Sequence, residues 1–252
     1  MRFNDTVALI TGAGSGIGEE TAKRLASEGA TVILVGRTKQ KLESVAEAIP
    51  GAHVIPADVT VKADVARLAD YVANTFGTLD VLINGAGGSK SSFIMDTSEE
   101  DWDAMQNVNL KSVFLVSQLL GGVMKKQAEG EQEKRKRSIV NITSLSGHQA
   151  GAHIPHYSSA KAGAINFTKA LALELAPHGI RVNSVSPGFI DTPLTEGSLQ
   201  NEKFAKTIER NTALMRVGES EEIANVVAFV ASNEASYMTG SDVLVDGGWL
   251  IK

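Results

Sequence analysis

Seven short runs of apolar and β-branched residues constrain this chain more than anything else in it: TVALIT, TVILVG, AHVIPAD, LDVLING, RSIVNITS, RVNSVSPG and SDVLVDGG. Several show no alternation of polar and apolar positions, so strands built from them must be covered on both faces. Between the runs lie 3.6-residue patterns at 17–28, 40–48, 62–75, 99–126, 158–176 and 220–231, which read as helices. Strand and helix taking turns along one chain predict an α/β fold, a doubly wound parallel sheet flanked by helices. No linker-like shift of composition interrupts the 252 residues, so 1–252 reads as a single domain.

Composition removes several function classes. Hydrophobic residues at 43% and charged residues at 21% are those of an ordinary globular chain. A net charge of -5 offers no basic field to a phosphate backbone, so no nucleic acid is expected as a partner. The absence of cysteine rules out disulfide and thiolate chemistry. MRFNDTVALITG lacks the apolar core of a leader, and no stretch approaches the roughly 18 apolar residues of a membrane span. The expected setting is cytoplasmic, away from membranes.

Two stretches break the rhythm. The charge-dense AEGEQEKRKR at 128–137 reads as a solvated insertion loop, and the strand-free connection at 193–215 reads as a substrate lid.

The first run leads into VALITGAGSGIGEETAKRLASEG, where Gly12, Gly16 and Gly18 are spaced G-x3-G-x-G around Ser15 and Ile17. Glycines let the chain turn tightly and approach a ligand closely, and the helix starting near Ile17 aims its free N–H groups at an anion. A pyrophosphate suits that place. The second run ends in Gly36, Arg37 and Thr38, with no carboxylate before Glu43. An acid there would hold the ribose hydroxyl of NAD, whereas a guanidinium suits the 2′-phosphate of NADP. NADP(H) is therefore preferred over NAD(H).

A third signal lies in HYSSAKAGAINFTKALALEL at 156–175, where Tyr157 and Lys161 stand four residues apart on one helix face. A free phenol titrates near 10, and a neighbouring ammonium favours its ionised form. Such a pair is a general acid/base tuned toward neutral pH. Ser144, thirteen residues earlier at the end of a predicted strand, can hydrogen-bond a carbonyl oxygen at the carboxyl edge of the sheet. Asn109 is a polar amide inside an apolar helical pattern and needs partners there, for which a water shared with Lys161 is one use.

TGAGSGIG, NGAG at 84–87, Asn109, Ser144, Tyr157-x3-Lys161 and SPGFIDT at 186–192 resemble, in order and spacing, the short-chain dehydrogenase/reductase family. The resemblance implies a Rossmann fold with seven parallel strands, and hydride transfer between a nicotinamide and a carbonyl or secondary alcohol. It implies Tyr157 as acid/base, Ser144 as the carbonyl-orienting hydroxyl, Lys161 as the group that lowers the Tyr157 pKa and holds the nicotinamide ribose, and Asn109 as support for a proton-relay water. It further implies Asp58 and Val59 at the adenine, Asn84, Ala86 and Gly87 supporting the central sheet and the cofactor, Pro187 and Gly188 at the cleft, Ile190 and Thr192 at the nicotinamide amide, and a homotetramer. Gly85 departs from the family, which more often has a second Asn.

The Tyr157 helix is apolar or small on nearly all sides, with Ala160, Ala162, Ala164, Ile165, Phe167, Leu171 and Leu173, so a second subunit is expected to cover the side turned from the sheet. The substrate pocket is expected to be walled by Ser89, 145–149, 187–189 and the lid. His148, His153 and His156 gather nearby, each readable as a surface or packing residue or as a substrate contact, and they are not spaced for a metal. The substrate is a small carbonyl or alcohol whose identity stays open between 3-oxoacyl thioesters, alcohols and sugars. A nucleotide-sugar epimerase or dehydratase and a non-catalytic dinucleotide sensor are the rival classes. Only about sixty residues follow Thr192, too few for the usual sugar-binding domain of the first, and the intact Asn109, Ser144, Tyr157 and Lys161 argue against the second.

Overall fold

The seven apolar runs become the seven strands of one parallel sheet in the computed structural model, which describes residues 1–131, 135–151 and 153–252. The strands are β1 (Val7–Thr11), β2 (Thr31–Gly36), β3 (His53–Pro56), β4 (Val81–Asn84), β5 (Arg137–Ile142) and β6 (Ile180–Pro187). Next come a two-residue pair, β7 (Ile190–Asp191) and β8 (Gly218–Glu219), and then β9 (Asp242–Val245). The helices are α1 (Gly16–Ser27), α2 (Lys39–Glu47), α3 (Lys62–Phe76), α4 (Glu99–Gln106), α5 (Ser112–Gly130), α6 (Pro155–Leu175), α7 (Glu196–Leu199), α8 (Glu202–Asn211) and α9 (Ser220–Ala231). Among the described residues no helix is long and apolar enough to cross a membrane.

Sheet order is β3-β2-β1-β4-β5-β6-β9. The chain runs outward from β1 to β3, then returns to pair β4 with the free side of β1, Ala8 opposite Val81. At that reversal the loops leaving β1 and β4 diverge to opposite faces, which opens a crevice at the carboxyl ends of the strands. Helices α1, α2 and α9 close one face over Leu25, Leu42, Val45, Ile223 and Val227; α3, α5 and α6 close the other over Val65, Leu68, Val72, Val116, Leu120 and Leu175. Each such side chain, fully buried, contributes about 1.5–3 kcal/mol, which makes the sheet a rigid base for the loops above it.

The stretch 128–137 is not one solvated loop. Ala128 is buried in the last turn of α5, and Arg137 opens β5 with its side chain out of solvent. Arg137 Nη1 donates to Glu131 Oε2 at 2.9 Å, and Arg135 reaches Asp80 at 3.3 Å. A buried guanidinium needs its carboxylate, so Arg137 is paired, while Glu129, Arg135 and Lys136 are exposed. Residues 132–134 lie outside the described residues.

The expected lid, 193–215, holds α7 and α8, and its two ends are tied together by the parallel pairing of β7 with β8. The predicted helix at 99–126 is broken at Asn107–Lys111 by a π-turn between α4 and α5. Along α6, Ala160, Lys161, Ala164, Ile165, Thr168, Ala172 and Leu175 are buried, whereas Ala162, Ala170 and Leu173 are exposed, Leu173 at 81%. One side of this apolar helix therefore has no cover among the described residues.

Candidate active site

A cavity of about 680 Å³ occupies the crevice, running from the α2 end of β2 to the loops after β5 and β6. Its floor is the β1–α1 turn. Gly12 has φ +72°, and a β-carbon on it would stand 2.7 Å from the Gly85 carbonyl oxygen. A β-carbon on Gly18 would collide with the Gly12 carbonyl oxygen. The turn thus packs main chain on main chain, and only glycine permits it. Ser15 is the N-cap residue of α1, yet its side chain bonds none of the first-turn N–H groups. Those donors and the positive end of the helix dipole point into the cavity, the geometry that receives a pyrophosphate.

Gly85 gains a reason. A β-carbon there would sit 2.7 Å from the Thr11 carbonyl oxygen, and the Gly85 and Ala86 N–H groups both donate to Thr11 Oγ1, at 3.1 and 3.2 Å. The strand ends of β1 and β4 approach too closely for a larger residue.

At the far end, Arg37, Thr38, Asp58 and Val59 line the wall, joined by Lys41, which the sequence pattern did not place in the cleft. Lys41 lies in the first turn of α2, whose N-cap Thr38 makes no side-chain cap and whose first turn holds no acid. Burial pushes the Asp58 carboxyl up, but the Thr60 hydroxyl and N–H and the nearby Arg37 outweigh it and hold the group below its ordinary value.

The chemical end is assembled from β5, α6 and the π-turn. Ser144 caps a short turn, Leu145–Gly147, by accepting the Ser146 N–H at 3.2 Å. Tyr157 as a whole is partly exposed, but its hydroxyl is enclosed. Burial pushes that phenol up, and a hydrogen bond with Ser144 pulls the other way without overcoming it. Lys161 stands one turn on, 5.6 Å from the Tyr157 ring centroid, and donates to the Ile142 carbonyl at 2.9 Å. Burial drives its pKa down to about 8. Desolvation thus acts against the charged form of both groups.

Asn109 is fully buried in the π-turn. Its Nδ2 donates to the Gly88 carbonyl at 2.8 Å, and its Oδ1 accepts the Gly88 N–H at 3.2 Å. The π-turn swings this amide out of helical register to clamp the loop after β4, a use of such turns that recurs at functional sites.

Of the expected residues, Gly12, Ser15, Gly16, Ile17, Gly18, Arg37, Thr38, Asp58, Val59, Ala86, Gly87, Asn109, Ser144, Tyr157, Lys161, Pro187, Gly188, Ile190 and Thr192 all line this one cavity. Asn84 does not. Its Nδ2 donates to Asn141 Oδ1 at 2.8 Å and to Ser117 Oγ at 3.1 Å, a cross-link within the protein interior. The substrate wall also differs from expectation. Ser89, Pro187 and Gly188 line it, but 145–149 and Phe189 do not, because Leu145 and Ser146 turn inward and are buried. Of the lid, Pro193, Leu194 and Thr195 contribute. His148, His153 and His156 stay off the cavity: His148 pairs with Asp242, His153 stacks edge-on against Phe93, and His156 is fully buried.

Similarity to known proteins agrees with this geometry. Residues 12–250 match the family described as Enoyl-(Acyl carrier protein) reductase. The chain is 43% identical to a 3-oxoacyl-[acyl-carrier-protein] reductase of Thermotoga maritima over the full length of both. It is 36% identical to a meso-2,3-butanediol dehydrogenase of Serratia marcescens, over 98% of this chain and 96% of that one. The crystal structure of a short-chain type dehydrogenase/reductase from Mycobacterium marinum superposes with a TM-score of 0.91 at 35% identity, covering 99% of this chain and 97% of that one. With a glycine cradle, a serine, a tyrosine and a lysine gathered in one crevice, the chain belongs to the short-chain dehydrogenase/reductase family, NAD(P)-dependent oxidoreductases acting between C=O and CH–OH groups.

Proposed function

We propose that this protein is an NADPH-preferring carbonyl reductase whose substrate is a 3-oxoacyl thioester or a similar apolar ketone, with Tyr157 as the general acid. The observation that carries the reading is that Ser144, Tyr157, Lys161 and the β1–α1 turn all open into one cavity. Bound there, a reduced nicotinamide supplies the hydride. The chain's own groups do the rest. The Ser144 hydroxyl orients the carbonyl oxygen, and the enclosed Tyr157 hydroxyl gives it a proton. Lys161, tethered to Ile142, keeps a positive charge beside the phenol as that proton leaves. Asn109 holds the Gly88 loop over the site and supports the water that reprotonates the pair.

Arg37, Thr38 and Lys41 around an uncapped helix start support NADP(H), because two cations and free N–H groups suit a phosphate monoester. Ala104, Met105, Val108 and Leu194 support an apolar substrate, since together they give the cavity an apolar stretch of wall. The naming of the Thermotoga maritima relative points the same way. The uncovered stripe of Ala162, Ala170 and Leu173, with Phe114 of α5 also exposed, supports a second subunit packed against α6, and a homotetramer acting in the cytoplasm is the assembly and setting of this reading. A panel of simple ketones, β-ketoesters and sugars assayed with NADPH and NADH tests the reading. Fastest NADPH oxidation with the β-ketoesters is expected. Turnover confined to sugars or diols with NAD would overturn it, and a monomer in sedimentation analysis would overturn the tetramer.

A further inference from the structure

Behind Ser144 lies a polar network that the reaction as described leaves unused. Its hub is Asp242, the first residue of β9, with a side chain only 8% exposed. The carboxylate accepts from Ser184 Oγ, from Ser186 Oγ at 2.9 Å and from Thr143 Oγ1 at 3.2 Å. His148 Nε2 lies 2.8 Å from its Oδ2. A carboxylate only accepts, so His148 carries its proton on Nε2 and donates it. The same nitrogen faces both Asp242 and the fully buried Ser186, so these three side chains form no nucleophile relay.

What the network holds is informative. Thr143 sits between Ile142, whose carbonyl binds Lys161, and Ser144, whose hydroxyl is bonded to Tyr157. Thr143 Oγ1 has one proton, which it shares between Asp242 and the Val185 carbonyl at 2.9 Å, and it lies 2.8 Å from Ser186 Oγ. A rotation at Thr143 therefore displaces both neighbours. His148 ends the turn that begins at Ser144, its N–H donating to the Leu145 carbonyl at 2.9 Å. Asp242 grips the active-site strand directly and grips the following turn through His148, across 99 and 94 residues of sequence.

We propose that Asp242 and His148 are positioning residues of the carbonyl reduction, holding the Ile142 carbonyl and the Ser144 hydroxyl against Lys161 and Tyr157. The reading rests on the function proposed above. The pair touches neither substrate nor cofactor and acts through Thr143 and the Ser144 turn.

The test uses the full-length enzyme with NADPH and ethyl acetoacetate, and a substrate-free titration of Tyr157 read as the ultraviolet difference from each protein's Tyr157→Phe counterpart. Asp242→Asn is expected to lower kcat about tenfold with the NADPH KM within about twofold. His148→Ala lowers kcat about threefold, and His148→Gln, whose amide still donates to Asp242, recovers most of it. Tyr157 titrates at higher pH in Asp242→Asn, because the Ser144 bond that pulls it down is loosened; loss of a negative charge alone moves it the other way. Folded variants with wild-type kcat, or a Tyr157 titration that moves down, overturn the proposal. If Asp242→Asn does not fold, the two His148 variants decide, with equal kcat in both counting against it. A wild-type enzyme inert on the ketone contradicts the function and leaves the titration to judge the network.

Discussion

The α1 end of the cleft is walled by main chain at Gly12, Gly16 and Gly18; the α6 end is walled by the side chains of Asn109, Ser144, Tyr157 and Lys161, two of them ionisable and shielded from water. Main-chain donors at a helix start are present in any fold of this kind and stay solvated until a ligand arrives, so they burden the protein little. The chemical end is different. Lys161 is held at 4% exposure with its pKa drawn down to about 8, so in neutral solution the folded state carries a desolvated charge that the unfolded chain does not. Recognition is cheap here, and chemistry is bought with stability.

Substitutions at the two ends should therefore have opposite signatures. Gly18→Ala drives a methyl into the Gly12 carbonyl; it should cost about 3 kcal/mol of stability and remove measurable NADPH binding, checked by chemical denaturation and fluorescence titration. Lys161→Met should abolish turnover yet stabilise the fold. Lys161 titrates near 8 in the folded protein against 10.5 for a solvated lysine, so its penalty is complete below pH 8 and fades as pH climbs toward 10.5. The gross gain is about 3 kcal/mol at pH 7 and fades toward zero near pH 10.5; the donor lost from Ile142 subtracts about 1 kcal/mol, so the net gain of about 2 kcal/mol at pH 7 should reach zero at about pH 10 in denaturant titrations. Arg37→Ala should leave stability unchanged, raise the KM for NADPH about tenfold and move that for NADH less than twofold. Equal changes for both cofactors would remove the phosphate role from the far end of the cleft.

What was legible in the sequence follows the same division. Covered strands announce themselves as apolar runs, and a glycine turn between strand and helix is a local pattern, so the sheet and the α1 end could be read directly. Tyr157 and Lys161 were legible because one helix turn brings them together. Features that depend on pairing across the fold were not. Lys41 lines the cleft where the first turn of α2 packs against Gly14 of the β1–α1 turn, and His148 is claimed by Asp242, 94 residues away. Asn84, expected to support both the central sheet and the cofactor, is turned by strand pleating to Asn141 behind the wall, where it braces the sheet. Of the charges at 128–137, Glu129, Arg135 and Lys136 are exposed as expected, whereas Arg137 is buried and paired with Glu131 because it opens a strand of the covered sheet.

The role of Tyr157 is best tested by comparing Tyr157→Phe with the wild type for turnover and for NADPH affinity in the same preparation. A fall in kcat of at least about a thousandfold, with the NADPH dissociation constant within about twofold, is the predicted result. Turnover close to wild type would mean that the proton comes from another group. A matching loss of NADPH affinity would mean that Tyr157 serves to hold the cofactor and does not carry the proton.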